Sequence, residues 1–199
     1  DGSVYSFGYN YYGQFGNNTT TDENANPYPV KMQKVTNLVQ MTGGENHLIM
    51  LDADGSIWTT GLNSNGQLGK NNTVDSVLPQ QMIDAKGNII YGIKEVAAGA
   101  NHTLILRKDG TVWATGYNNK GQLGDGTTKT TNKFHKVKGP NGEGYLQNIV
   151  QIAAENNTSH VLTADGSVYS FGYNYYGQFG NNTTTDENAN PYPVKMQKV

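Results

Sequence analysis

A sixteen-residue pattern, DGSVYSFGYNYYGQFG at Asp1–Gly16, returns without gaps at Asp54–Gly69 (DGSIWTTGLNSNGQLG), Asp109–Gly124 (DGTVWATGYNNKGQLG) and Asp165–Gly180 (DGSVYSFGYNYYGQFG). A second element precedes the last three: MTGGENHLIML, VAAGANHTLIL and IAAENNTSHVL. A period of about 55 residues that carries two distinct elements marks a whole supersecondary unit. Units of that size cannot bury their apolar faces alone and must stack on their neighbours.

Within a unit the local signals are β. His102-Thr103-Leu104-Ile105-Leu106 and Thr111-Val112-Trp113-Ala114-Thr115 are short and rich in β-branched and apolar residues. They flank Lys108-Asp109-Gly110, and Asp-Gly predicts a hairpin with a type I′ turn, positive φ being required at both central residues. Asp54-Gly55 and Asp165-Gly166 repeat the signal. Alternation along these strands is weak, as in a sheet covered on both faces. Gly116–Gly124 (GYNNKGQLG) predicts a turn followed by a polar loop. Pro27-Tyr28-Pro29-Val30-Lys31-Met32 predicts an outer edge strand, where a missing N–H costs least. One more strand is predicted at Leu38–Met41, Ile93–Ala97 and Ile149–Ala153, and no segment shows a helical apolar stripe. Four strands per unit, repeated radially, read as an all-β propeller of four-stranded antiparallel blades. The chain holds three full blades, at 36–88, 89–144 and 145–199, plus a trailing half, residues 1–35, supplying outer strands of a partial blade.

The pattern G-x-N-x-x-G-Q-L-G after D-G-x-V-x-x-x-G, with A-A-G-x-x-H-T-L-x-L upstream, resembles the regulator of chromosome condensation (RCC1) repeat over essentially the whole chain. The stretch GQLGDGTT at 121–128 is most similar in wording to bacterial members. The resemblance implies a seven-bladed propeller closed by strands from both chain ends. It also implies a role among exchange factors for the small GTPase Ran, plant UV-B receptors, modules of ubiquitin ligases and secreted bacterial proteins. The receptor's Trp-rich G-W-R-H-T motifs read Gly44-Glu45-Asn46-His47 and Gly99-Ala100-Asn101-His102 here. Trp58 and Trp113 sit in register on a strand, which predicts core packing. The exchange factor's β-wedge and basic tail have no counterpart in this stretch. In the last unit the His-bearing element becomes Glu155-Asn156-Asn157-Thr158, with His160 displaced.

Residues 1–35 equal residues 165–199 at every position, loops included, whereas the two middle units agree at 10 of 16 aligned positions. Selection for fold alone does not hold loop residues identical. The alternatives are recent amplification of a three-blade unit and an engineered chain with overlapping ends. Three blades do not close a ring of the usual roughly 4–8. Copies are therefore expected to associate through exposed blade edges into a ring or array.

Composition narrows the chemistry. Lys+Arg 14 against Asp+Glu 16 gives no polyanion footprint, so no nucleic-acid partner is expected. The absence of Cys removes disulfides, thiolate metal sites and Cys nucleophiles. No apolar run reaches the roughly 20 residues of a membrane span, and no signal peptide is visible, although the chain opens inside a repeat. Asp54, Asp109 and Asp165 are read as turn residues rather than catalytic carboxylates. His47 and His102 are read as structural, since no second ligand type recurs with them. Ser159 and His160 are adjacent on a strand and point to opposite faces. Gly121–Gly126 lacks the Lys and helix of a phosphate loop. Lys129, Lys133, Lys136 and Lys138 read as a solvated run without an aromatic platform. The sequons Asn17-Asn18-Thr19, Asn71-Asn72-Thr73 and Asn101-His102-Thr103 follow from an Asn/Thr-rich composition.

The remaining expectation is a non-catalytic scaffold for protein–protein interaction, with no cofactor and no metal. The alternatives are an exchange factor by family analogy and an engineered repeat protein without a natural ligand; secreted or bacterial cell-surface localisation is favoured. Candidate partner-contact residues lie in the varied loops over the repeated frame: Tyr9, Tyr11, Tyr12, Asn63, Asn65, Tyr117, Lys120, Tyr173, Tyr175 and Tyr176. Tyr supplies rigid amphipathic contact area at low entropic cost.

Overall fold

The computed structural model describes residues 2–21, 26–185 and 188–197. A two-stranded antiparallel sheet, β1 (Tyr5–Gly8) and β2 (Asn26–Lys31), leads the chain as a half-blade. Blade I follows as β3 (Leu38–Gly43), β4 (His47–Asp52), β5 (Ile57–Gly61) and β6 (Ser76–Gln81). Blade II comprises β7 (Ile93–Ala98), β8 (His102–Arg107), β9 (Val112–Gly116) and β10 (Thr131–Lys136). Blade III comprises β11 (Ile149–Glu155), β12 (Thr158–Thr163), β13 (Val168–Gly172) and β14 (Asn190–Lys195). Each full blade is an antiparallel meander in chain order, as the repeat predicts.

The Asp-Gly hairpins form, but not as type I′ turns. Asp52 N–H donates to Ser56 C=O and Gly55 N–H to Asp52 C=O, enclosing the three-residue loop Ala53-Asp54-Gly55. Gly55, Gly110 and Gly166 have φ of +83°, +77° and +83°, whereas the preceding aspartates keep negative φ. This is a type I turn closed by a left-handed glycine, the usual three-residue hairpin. The aspartate instead accepts the N–H two residues on, Asp54 from Ser56 at 2.7 Å and Asp109 from Thr111 at 3.0 Å. The side chain thus mimics a backbone turn.

The core lies between the sheets. Ile49, Leu51 and Ile57 of blade I pack with Ile93, Val96 and Ile105 of blade II. Leu104, Leu106 and Val112 of blade II pack with Ile149, Ile152, Val161 and Phe171 of blade III. A buried side chain of this kind contributes about 1.5–3 kcal/mol, and here only the neighbouring blade makes that burial possible. The tryptophans depart from the expectation of core packing. Trp58 is half-buried against Met32 and Val35 of the half-blade segment and Met50 of blade I, Trp113 is half-buried at the margin of the blade I–II cluster, and the Trp113 ring lies 5.6 Å from the Arg107 guanidinium. An indole here keeps its apolar body inside and a wet edge outside.

Candidate functional site

The loop after the third strand of each blade is pinned from below by a buried asparagine. Asn10, Asn63, Asn118 and Asn174 are fully buried, and each Oδ1 accepts the N–H of the residue five positions on, at 2.9 Å. Their amide groups donate across the loop, Asn118 for example to Thr127 C=O at 3.1 Å and Lys129 C=O at 3.2 Å. Asn63 is therefore a pin inside its loop, with no surface to offer a partner. Asn118→Ala strands the Leu123 N–H in a dry site, which costs about 1–3 kcal/mol. Urea denaturation should show that loss, with faster amide exchange at Leu123.

The glutamine of Gly-Gln-Leu-Gly fixes the loop crest and reaches the next blade. Gln122 Oε1 accepts Lys120 N–H at 2.9 Å while its Nε2 donates to Asn157 Oδ1 of blade III at 2.9 Å. Gln67 does the same between Asn65 N–H at 3.0 Å and Asn101 of blade II at 3.3 Å. Of the asparagine pins the sequence singled out only Asn63, and as a partner contact rather than a pin, and the glutamine did not stand out as a site residue, although both recur at the repeat period.

The histidines explain the second motif. His102 of blade II lies 2.9 Å from Ser159 Oγ of blade III, which donates to Gln122 C=O at 2.7 Å. The serine proton is committed to that carbonyl, so the ring donates from Nε2. His47 meets Thr103 Oγ1 at 3.4 Å in the same way, and Thr103 donates to Gln67 C=O at 2.7 Å. Both rings are buried, which pushes their pKa down to about 4 for His47 and about 3 for His102, the latter lowered further by His47. Each ring lies against a glycine, His47 on Gly44 and His102 on Gly99. The Ser159 hydroxyl is fully buried and so is unsuited to nucleophilic attack. His160 points the other way, to Ser170 Oγ at 2.8 Å within its own blade. Among the described residues no group of three or more His, Asp or Glu gathers around a point that could hold a metal.

Around the hub the blades are laced by backbone. Glu45 N–H donates to Ala100 C=O at 3.1 Å, and Ala100 N–H to Asn156 C=O at 2.8 Å. One layer below, Gln40 clamps the next blade's inner strand, accepting Val96 N–H and donating to Val96 C=O, both at 3.0 Å. A bulge in each inner strand, between Leu38 and Gln40 in blade I, aims this side chain outward.

On this frame the tyrosine loops stand out. Tyr9 and Tyr11 stack at 6.2 Å, and Tyr11 meets Tyr12 edge to face at 4.9 Å. Tyr173, Tyr175 and Tyr176 repeat the trio at 6.1 Å and 4.9 Å. Tyr11 and Tyr175 are 49% and 45% exposed. Lys120 of blade II lies 5.7 Å over the Tyr173 ring of blade III, so these two candidates share one patch. Asn65 and Tyr117 are half-buried at the equivalent positions.

The lysine run needs one correction. Tyr145 supplies the aromatic that the sequence run lacks, with Lys136 and Lys138 at 5.0 and 4.7 Å from its ring centre. Asp125 shares that shallow surface. A cleft of about 350 Å³ between blades I and II is lined by Asp84, Lys86, Arg107, Trp113 and Phe134 among others. No helix among the described residues is long and apolar enough to cross a membrane.

The sequence profile of the regulator of chromosome condensation (RCC1) repeat matches residues 1–51, 54–106, 109–162 and 165–199, and a second profile of the same description matches 38–67, 93–122 and 149–178. The ultraviolet-B receptor UVR8 of Arabidopsis thaliana is 30% identical over 92% of this chain and 40% of its own length. The human X-linked retinitis pigmentosa GTPase regulator is 34% identical over 71% of this chain and 13% of its own. Among solved structures, human WBSCR16 superposes with a TM-score of 0.78 at 23% identity, covering 98% of this chain and 48% of that one. Yeast RCC1 (Prp20), solved bound to Kap60, gives 0.78 at 21%, covering 99% and 45%. These two likenesses show the fold, and the chain spans half or less of each protein named. The named relatives are plant and human proteins and lend no support to a particular likeness to bacterial members. Repeat matches along the whole chain and four-stranded blades sealed by their neighbours place it in the RCC1-repeat β-propeller family.

Proposed function

We propose that the chain is a non-catalytic protein-binding scaffold whose tyrosine-bearing loops meet a protein partner and whose uncovered blade faces let copies associate. One observation carries this reading. Exposed, mutually stacked tyrosines sit on loops pinned from below by the buried Asn10 and Asn174 and braced at the crest by Gln14 and Gln178, which accept the N–H of Tyr12 and Tyr176. A pre-organised aromatic patch loses little entropy on binding, and buried Tyr commonly dominates interface energies. The residues at the same loop positions differ between blades, Ser64 and Asn65 in one and Asn119 and Lys120 in another, so one frame presents different chemistry around the arc. Yeast RCC1, which shares the fold, was solved in complex with another protein, Kap60.

Tyr11→Ser with Tyr175→Ser should lower the unfolding midpoint only modestly, since both side chains are about half exposed and lose ring contacts to their neighbouring tyrosines. It should weaken partner binding by about tenfold or more, the effect of losing an aromatic hot spot. The check is quantitative affinity capture of wild type and variant in parallel, with binding of each enriched protein remeasured in purified form. Partners held equally by both would refute the loop assignment.

A further inference from the structure

Residues 1–35 and 165–199 are one sequence in two environments, so differences between them are made by neighbours alone. Phe171 is fully buried against blade II, whereas its twin Phe7 is 68% exposed. Tyr176 is 79% exposed, whereas its twin Tyr12 is half-covered. Gly16 is buried beneath Met32 and Pro79, whereas Gly180 is exposed. The half-blade thus has blade I on one side and, among the described residues, no blade on the other. Blade III has blade II on one side and leaves open the side that its twin turns towards blade I. What stands uncovered at the ends of the arc is therefore sheet face as well as the strand edge of β1, which pairs only with β2 among the described residues.

Blade I carries the complement of that open face. Met41 on β3 is 60% exposed, while its counterparts Val96 and Ile152 are 2% and 4% exposed beneath a preceding blade. Gln151 holds the position from which Gln40 clamps Val96, and Met41 is the residue that matches Val96. Asn156 is the next step of the hub ladder that runs from Glu45 to Ala100 to Asn156. The histidine links complete the match. Each His meets a hydroxyl on the following blade, His47 with Thr103 and His102 with Ser159. Blade III alone replaces the histidine, by Thr158, and blade I alone replaces the hydroxyl, by Leu48. The two irregular blades are the two whose faces would meet.

We propose that blade III of one copy docks head-to-tail on blade I of a second copy, in the place held by that copy's residues 1–35. This rests on the self-association reading above and names its surface and partner. A two-stranded sheet is marginal by itself. Blade III brings four strands to the same seat, and its inner strands would cover Met41, which the half-blade leaves bare. The contact is heterologous, so two copies close a ring of six blades, within the usual range, or further copies extend an array.

The chain contains no Cys, so single cysteines report the contact cleanly. Asn18 N–H donates to Val77 C=O at 2.9 Å across the half-blade and blade I, and Asn182 is the twin of Asn18. An Asn182→Cys chain mixed with a Val77→Cys chain and treated with a short bis-maleimide should give heterodimer about tenfold above either homodimer. An Asn18→Cys/Val77→Cys chain, which cross-links within itself, verifies reach and folding. Heterodimer no more abundant than homodimers overturns the proposal. Light scattering on the wild-type chain separates the two readings. Assembly without heterodimer enrichment sinks the head-to-tail contact and leaves self-association standing, whereas a monomer at every concentration sinks both.

Discussion

Gly99→Ala should destabilise the chain by about 1–3 kcal/mol, the cost of overpacking a tight site, and adding His102→Thr should recover much of it. A Cβ at Gly99 would overlap the His102 ring at Cε1 and Nδ1 and would come 2.8 Å from Asn156 C=O. The ring cannot retreat, because Nε2 is held by Ser159 and the imidazole is fully buried. His102→Thr alone vacates volume and removes the link to Ser159, at a cost of about 2–4 kcal/mol. Together the two changes cancel part of each other's damage, so the double-mutant cycle should show a coupling of about 1 kcal/mol or more. Blade III supplies the precedent within the same chain: Glu155 stands where the glycine would be and Thr158 where the histidine would be. Urea melts of the four proteins measure the cycle. Strict additivity would mean that glycine and histidine do not constrain each other.

Acidification should unfold the chain through the same histidines. Their folded pKa values lie at about 4 and about 3, against 6.5 for an unburied ring. Between pH 6.5 and about 4 the unfolded chain takes up protons that the folded chain refuses, so stability falls as pH falls. Each ring contributes a slope of at most about 1.4 kcal/mol per pH unit. Asp54, Asp109 and Asp165 are also held below their usual range, chiefly by hydrogen bonds from Ser56, Thr111 and Thr163, and Asp165 is lowered to about 2. Their contribution is lost only at pH below the ordinary carboxylate value. Glu95 is raised by burial, which opposes the histidine trend weakly near pH 5. A titration of denaturation midpoints from pH 7 to 4.5 should therefore show a steep loss. His47→Gln, which leaves the buried His102 and the part-buried His160, also lowered by burial, should show a slope reduced by about a third to a half. An unchanged slope would show that the rings are not what refuses the protons.

These two results would bear on how the blades are joined rather than on how any one of them folds. Each blade is an ordinary antiparallel meander, and its hairpins are local. The links that make an arc are few and repeated: the hub ladder, the Gln40 clamp, the Gln122 bridge and the His–hydroxyl pair. Because each is made by a side chain or backbone group of one blade with the next, the open faces of blades I and III among the described residues each carry one half of the ladder, clamp and glutamine links, while both lack their half of the His–hydroxyl pair. That is the physical ground for expecting copies to meet in register.

The strands, their order and the hairpins were legible in the sequence, because β-branched runs bounded by Asp-Gly are decided by local backbone preferences. The turn type was not, since the hairpin accommodates a third loop residue and leaves the positive φ to glycine alone. Asn63 read as a loop residue open to a partner, yet it is buried. A polar residue in a Gly-rich stretch looks the same whether it faces water or satisfies backbone N–H and C=O groups beneath the crest. Tyr145 beside Lys136 and Lys138 could not be seen either, because it arrives from a separate loop.

The sequence by itself determined the unit: its period, its four strands, and the identity of residues 1–35 with 165–199. Only the tertiary structure decided which faces of those identical segments are covered. Burial belongs to the neighbour as much as to the residue, which is why Phe171 is a core residue and Phe7, the same side chain in the same local sequence, is not.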